Sequence, residues 1–228
     1  MTIDAANMHF QVLNEKIRNN SSKKITIDNC CGQRYIGAGM SGRNITINGT
    51  PGNALGAYLN GSEIQVNGNA QDAVGDTMND GAIIIHGNVG DAPGYAMRGG
   101  RIFVRGNAGY RAGIHMKQYK EKKPVIIIGG RAGSFLGEYL AGGIIAVLNL
   151  QNEQPIISNF TGTGMHGGKI FLRCQTVPDN LPAQVSAEPA QPADFKELAP
   201  HLKAYCKQFE LDYEQLAADT FFVLKPNA

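Results

Sequence analysis

The 228-residue chain has little cysteine, little net charge and no long apolar run, and each scarcity removes a class of function. Its four cysteines are Cys30, Cys31, Cys174 and Cys206. Two are adjacent and none forms a C-x-x-C pair, so neither a metal site nor a disulfide framework is expected. The formal charge is +2, with both signs scattered along the chain, so nothing in the balance requires nucleic acid or a membrane. No apolar stretch has the length of a membrane span, and the first residues lack a basic-then-apolar leader. A cytoplasmic protein is the expectation. Asn20, Asn44, Asn48 and Asn159 stand in N-x-S/T contexts, which carry no meaning without secretion.

A sustained 3.6-residue period is also missing between residues 24 and 174, which argues against helical and leucine-rich repeats. A 19-residue period stands in its place. Ile45, Ile64, Ile83 and Ile102 keep that step, as do Gly49, Gly68, Gly87 and Gly106. Met40, Leu59, Met78 and Met97 lie five residues before each isoleucine, and the register resumes at Ile126 and Ile145 after an insertion. Met165 to Ile170 repeats the phrase, and Ile25-Thr-Ile27 is a weaker first copy. Within each unit, apolar residues two apart (Ile45 and Ile47, Ile64 and Val66, Ile102 and Val104) give strand spacing with one buried face. Glycines supply the turns. The pattern predicts an all-β fold: a right-handed, single-stranded parallel β-helix of about eight 19-residue coils, with short helical segments at both ends. Strand stacking would make it roughly 40 Å long.

The ends differ from the middle. Residues 1–23 are expected to form an N-terminal helical cap, with a helix within 4–20; residues 24–174 form the β-helix. Pro178, Pro182, Pro189 and Pro192 mark 175–193 as a linker or strap. The segment 194–228 should hold a helix opened by a capping box at Asp194 and Glu197, with Leu198, Leu202, Tyr205 and Phe209 as its apolar stripe. A short helix over 212–218 and a terminal strand at Phe221–Leu224 complete it.

Candidate chemistry is sparse. Gly37-Ala-Gly39-Met-Ser-Gly42 and Gly162-Thr-Gly164-Met-His-Gly167 match G-x-G-x-x-G, but a strand rather than a helix follows each, so turns are expected and not a dinucleotide site. His9, His86, His115, His166 and His201 make no i, i+4 pair on a helix. Asp72, Asp76, Asp80 and Asp91 fit turn positions better than a catalytic groove. No catalytic, cofactor-binding or metal-binding residue is singled out. The basic insertion, with Lys117, Lys120, Lys122 and Lys123, breaks the register, should project from the cylinder and is the candidate partner interface.

Several phrases resemble one known family. Met97-Arg-Gly-Gly-Arg-Ile102, Gly137-Glu-Tyr-Leu-Ala-Gly-Gly143, Gly106-Asn-Ala-Gly-Tyr-Arg111 and Asn159-Phe-Thr-Gly-Thr-Gly-Met-His-Gly-Gly168 are similar to the glycine-repeat (GXGXG) domain that ends the large subunit of glutamate synthase (domain 3 of the alpha subunit). Phe222-Val-Leu-Lys-Pro226 is similar to that subunit's closing segment. One of the subunits of formylmethanofuran dehydrogenase shares the repeat. The resemblance, which spans nearly the whole chain, implies a non-catalytic scaffold in an oxidoreductase complex that moves glutamine's amide nitrogen to 2-oxoglutarate. Its implied partners are a glutaminase subunit and an FMN-binding synthase subunit. FMN and an iron–sulfur cluster would lie in those chains, none in this one, and a homo-oligomer is also open. The alternative it implies is a subunit of a formylmethanofuran dehydrogenase or formyltransferase complex, against which the glutamate-synthase-like tail counts.

Overall fold

The isoleucines set 19 residues apart lie side by side. In the computed structural model, which describes residues 1–179 and 181–227, Ile25, Ile45, Ile64, Ile83, Ile102, Ile126, Ile145 and Ile170 are consecutive partners across eight strands. Asn180, in the segment read as a linker, and Ala228, at the end of the C-terminal segment, lie outside the described residues. A second row two residues on runs from Ile27 through Ile47, Val66, Ile85, Val104, Ile128 and Val147 to Leu172. Both rows are buried and share one core. Methionine and leucine at 59, 78, 97, 116, 140 and 165 complete it, as the spacing predicts.

The strands are β1 (Thr2–Asp4), β2 (Lys24–Cys31), β3 (Asn44–Thr50), β4 (Asn60–Asn67), β5 (Asp80–Ile85), β6 (Arg101–Val104), β7 (Val125–Ile128), β8 (Ala141–Val147), β9 (Gly167–Arg173), β10 (Val185–Pro189) and β11 (Phe221–Pro226). They form one 11-stranded sheet in which β1 to β9 pair in parallel in chain order, and the fold is accordingly all-β, with three helices among the described residues, α1 (Phe10–Asn19), α2 (Pro192–Phe209) and α3 (Tyr213–Ala217). Parallel bridges link Ala70, Val89, Ala108, Ala132 and Ile157 into a second ladder away from the sheet.

The corner of each repeat is a run of alternating positive φ. At Ala54, Gly56 and Tyr58 the values are 61°, 63° and 58°, and the same triplet recurs at 73, 75 and 77 and at 135, 137 and 139. The alternation turns successive amides to opposite neighbours: Ala54 donates forward to Asp72 O at 2.9 Å, Gly56 back to Ile36 O at 2.8 Å, and Tyr58 forward to Asp76 O at 2.7 Å. Backbone donors that a sharp corner would leave unpaired are thus satisfied between repeats. Both G-x-G-x-x-G stretches lie in such corners, ahead of β3 and β9.

The outward row of the sheet explains the C-terminal segment. Thr46 and Gln65 face outward in β3 and β4, but Ile84, Phe103, Ile127, Ala146 and Phe171 follow at the equivalent places. This apolar stretch is covered by Leu198, Leu202, Tyr205 and Cys206 of α2, Leu216 of α3, and Phe221 and Val223 of β11, all buried in a second core. Each large side chain so covered contributes about 1.5–3 kcal/mol.

Three terminal features differ from expectation. The N-terminal segment begins with β1, paired to β2, and its helix is confined to α1. The segment 175–193 carries β10, which pairs antiparallel with β11 at the sheet edge, and α2 begins at Pro192. The capping box is formed by Gln191 and Asp194 rather than by Asp194 and Glu197. Asp194 is the third helical residue because Pro192 takes the first turn, where a missing N–H costs nothing. Glu197 is thereby left free to pair with lysines.

Candidate interaction surface

The insertion between β6 and β7 returns to the body of the protein instead of projecting freely, which corrects the sequence reading for two of its four lysines. Lys122 Nζ donates to Asp80 Oδ2 at 2.9 Å and to Asn79 O at 3.3 Å. Lys123 Nζ donates to Glu197 Oε2 of α2 at 3.0 Å. Lys117 and Lys120 are exposed, and neither joins an ion pair among the described residues. Lys120 Nζ lies 5.3 Å from the centre of the Tyr119 ring.

Beside this loop the repeat corners carry a row of aromatic side chains that sequence reasoning missed. His115 stacks on Tyr139 with centroids 5.0 Å apart and planes 8° from parallel, and meets Tyr95 edge-on at 5.9 Å. Phe135 stacks on Phe160 at 5.0 Å, and the Arg111 guanidinium lies 4.7 Å over Phe135. Arg111 Nε also donates to Glu138 Oε2 at 3.3 Å, joining the two columns. Tyr95, Tyr139 and Phe160 are 40%, 47% and 54% exposed, so the packing within the row leaves much of each ring in water. His115, Tyr139, Arg111, Phe135 and Phe160 all occupy positive-φ corner positions.

The turn acids make local structural bonds, most of them to backbone amides. Asp72 Oδ1 accepts from Asp91 N at 2.9 Å and Asp91 Oδ1 from Tyr110 N at 2.8 Å. A parallel ladder links Asn69, Asn88, Asn107 and the Arg131 amide. Asp76 accepts from the Thr77 hydroxyl at 2.7 Å, and Asp80 from the Gly81 amide at 2.8 Å. His86 is exposed and lies edge-on to Phe209. Burial pushes the Cys30 thiol up to about 11, against the ordinary 9.0, which removes its nucleophilic thiolate at neutral pH. Among the described residues no group of three or more His, Cys, Asp or Glu is placed to hold a metal ion.

A cleft outside the aromatic edge is bridged by structural polar contacts. It measures about 240 Å³ and is lined by Arg105, Arg173, Asp212 and Asp219. Arg173 donates there to Leu148 O at 2.8 Å and Asn149 O at 3.1 Å and pairs with Asp219, fastening α3 to β9. No helix among the described residues is long and apolar enough to cross a membrane.

Comparisons with known proteins agree with the repeat. An uncharacterized protein of Methanocaldococcus jannaschii is 45% identical over 222 residues, covering 92% of this chain and 85% of that protein. A chain of the formyltransferase/hydrolase complex of Methylorubrum extorquens, solved with methylofuran, has a similar fold: the TM-score is 0.66 at 18% identity, over 97% of this chain and 89% of that one. The family model described as the GXGXG motif matches residues 4–225, and the chain belongs to that family.

Proposed function

We propose that this chain is a non-catalytic scaffold within a complex of several different chains, of the formyltransferase/hydrolase type. The observation that carries the scaffold reading is the exposed aromatic and arginine edge on a body whose core is filled by apolar ladders. Aromatic and arginine side chains are what protein interfaces concentrate. The fold likeness to a chain of a formyltransferase/hydrolase complex supports the complex type. That likeness spans 97% of the chain, so it takes in most of the tail that had counted against this type.

We further propose that the repeats wind as a right-handed parallel β-helix. Consecutive strands pair in parallel within one sheet, and such connections are right-handed in nearly every known case. A second reading, the glutamate synthase scaffold with glutaminase and FMN-binding partners, is supported by the family match and the sequence phrases of the tail. The catalytic groups and any cofactor belong to partner chains on either reading, and a cytoplasmic location suits both.

The isolated chain should be inert. Purified protein is expected to release neither formate from a formyl donor nor ammonia from glutamine. Turnover of either substrate by the chain alone would overturn the scaffold reading.

A further inference from the structure

We infer that the aromatic edge of the later repeats is the docking site for an apolar surface rimmed by acidic residues on a different polypeptide. This rests on the scaffold reading and names the surface and the partner chemistry.

The fold imposes a positive φ at the last corner position of every repeat, and glycine meets that demand with least strain. Gly39 and Gly164 occupy it at the two ends of the stack. In between, Tyr58, Thr77, Ala96, His115 and Tyr139 hold it, and the rings of Tyr58, His115 and Tyr139 are exposed. The first corner position shows a sharper change. Tyr35 fills it in the first repeat, Ala54, Ala73 and Ala92 in the next three, and Arg111, Phe135 and Phe160 in the later ones. Core packing does not account for exposed side chains on strained backbone, and such strain concentrates where a surface is used. Stacked rings and a guanidinium on a ring run through these positions on both sides of the insertion, from Arg111 and His115 to Phe160, whereas Tyr35 and Tyr58 are exposed at the same positions towards the other end of the stack.

Charge selects the occupant. Arg98, Lys117 and Lys120 are exposed and join no ion pair among the described residues, against one such carboxylate on the insertion, Glu121, while Glu138 is already bonded to Arg111. Arg98 and Lys117 directly follow the core residues Met97 and Met116 of adjacent repeats, so the two cations border the corner columns. A two-fold contact between copies presents the same patch to itself, and would set this basic rim against its own image. A different chain with carboxylates around an apolar centre is complementary in sign and speeds encounter.

The test uses the assembly isolated from the native host through a tag on this chain. A photoreactive benzoylphenylalanine in place of Tyr139 should cross-link to a different polypeptide, within a segment containing Asp or Glu. The combined Arg98→Glu, Lys117→Glu and Lys120→Glu variant should recover about tenfold less of that polypeptide. A melting temperature unchanged in the triple variant shows that folding is intact, and Tyr139→Gly should also lower recovery while leaving the melting temperature equal or higher. A cross-link to a second copy, a cross-linked segment free of acids, or full recovery with all variants would overturn the inference while leaving the scaffold reading standing. A chain that runs alone in host extract would contradict both.

Discussion

Gly75 has φ +67°, and a Cβ added there would lie 2.6 Å from Ile102 Cδ1 in the next repeat. Gly56 stands in the same relation to Ile83, and Gly94 to Ile126. These glycines let each isoleucine ladder reach the corner of the preceding repeat, as well as turning the chain. Gly75→Ala should therefore cost about 1–3 kcal/mol in denaturant titration. Adding Ile102→Val, which removes the obstructing methyl, should restore part of the loss; a double variant no better than the single one would contradict the packing account. Ile83→Asp buries an unpaired charge between Ile64 and Ile102 and should cost about 4 kcal/mol or more, enough to prevent folding. The isoleucine ladder is legible in sequence because its step is strict. The close approach at Gly75 is not, since it joins residues 27 positions apart whose nearness depends on how repeats stack.

At the scale of elements, α2 is held by its apolar stripe, one buried hydroxyl and an ion network. Tyr205 Oη donates to Val104 O at 3.0 Å, and burial raises its pKa. Tyr205→Phe should cost about 1 kcal/mol by leaving that carbonyl unpaired, measurable as a lower denaturation midpoint. Lys169 pairs with Asp194 at 2.9 Å and with Glu197, while Lys225 Nζ lies 3.1 Å from Asp194. Burial works to raise Asp194, but its bonds to Lys169, Lys225 and the Gln191 amide outweigh it and hold the carboxyl low; bonds to Lys169 and Lys123 hold Glu197 low. Burial, then Lys123 and Arg101, depress His201.

The signs agree. Groups depressed on folding stabilise fully above their unfolded pKa, about 6.5 for histidine and 4 for carboxylates, and lose that contribution as pH falls through the folded value. Melting temperature should fall from pH 7 towards 5 in wild type, and less steeply in His201→Gln; equal slopes would remove His201 from the account. Burial works to lower Lys169, but its carboxylate partners raise it, so its contribution is lost only above about pH 10.4. The stripe of α2 is legible as a 3.6-residue pattern. The three-residue shift of its cap is not, because an N-terminal glutamine is a weak signal beside Asp194.

At the scale of the molecule, the sequence marks residues 117–123 as an insertion but not where its lysines go. The partners of Lys122 and Lys123 lie 42 and 74 residues away. Both pairs are exposed and contribute little. Lys120→Glu, Lys122→Glu and Lys123→Glu together should leave the melting temperature within a few degrees of wild type, yet weaken assembly; unchanged affinity would exclude the loop from the interface. The aromatic edge is harder to read still. Arg111, Phe135 and Phe160 are 24 and 25 residues apart, so the insertions hide a column that the corners align.

The most direct test of the scaffold account is to isolate the tagged chain from its native host under mild conditions, identify its companions by mass spectrometry and assay the eluate. Companions that carry formyl-group transfer or hydrolysis, with activity found in the assembly and absent from the chain alone, are the predicted result. A glutaminase and a flavoprotein with glutamine-dependent reduction of 2-oxoglutarate would contradict the complex type. A single chain without companions would contradict the scaffold account itself.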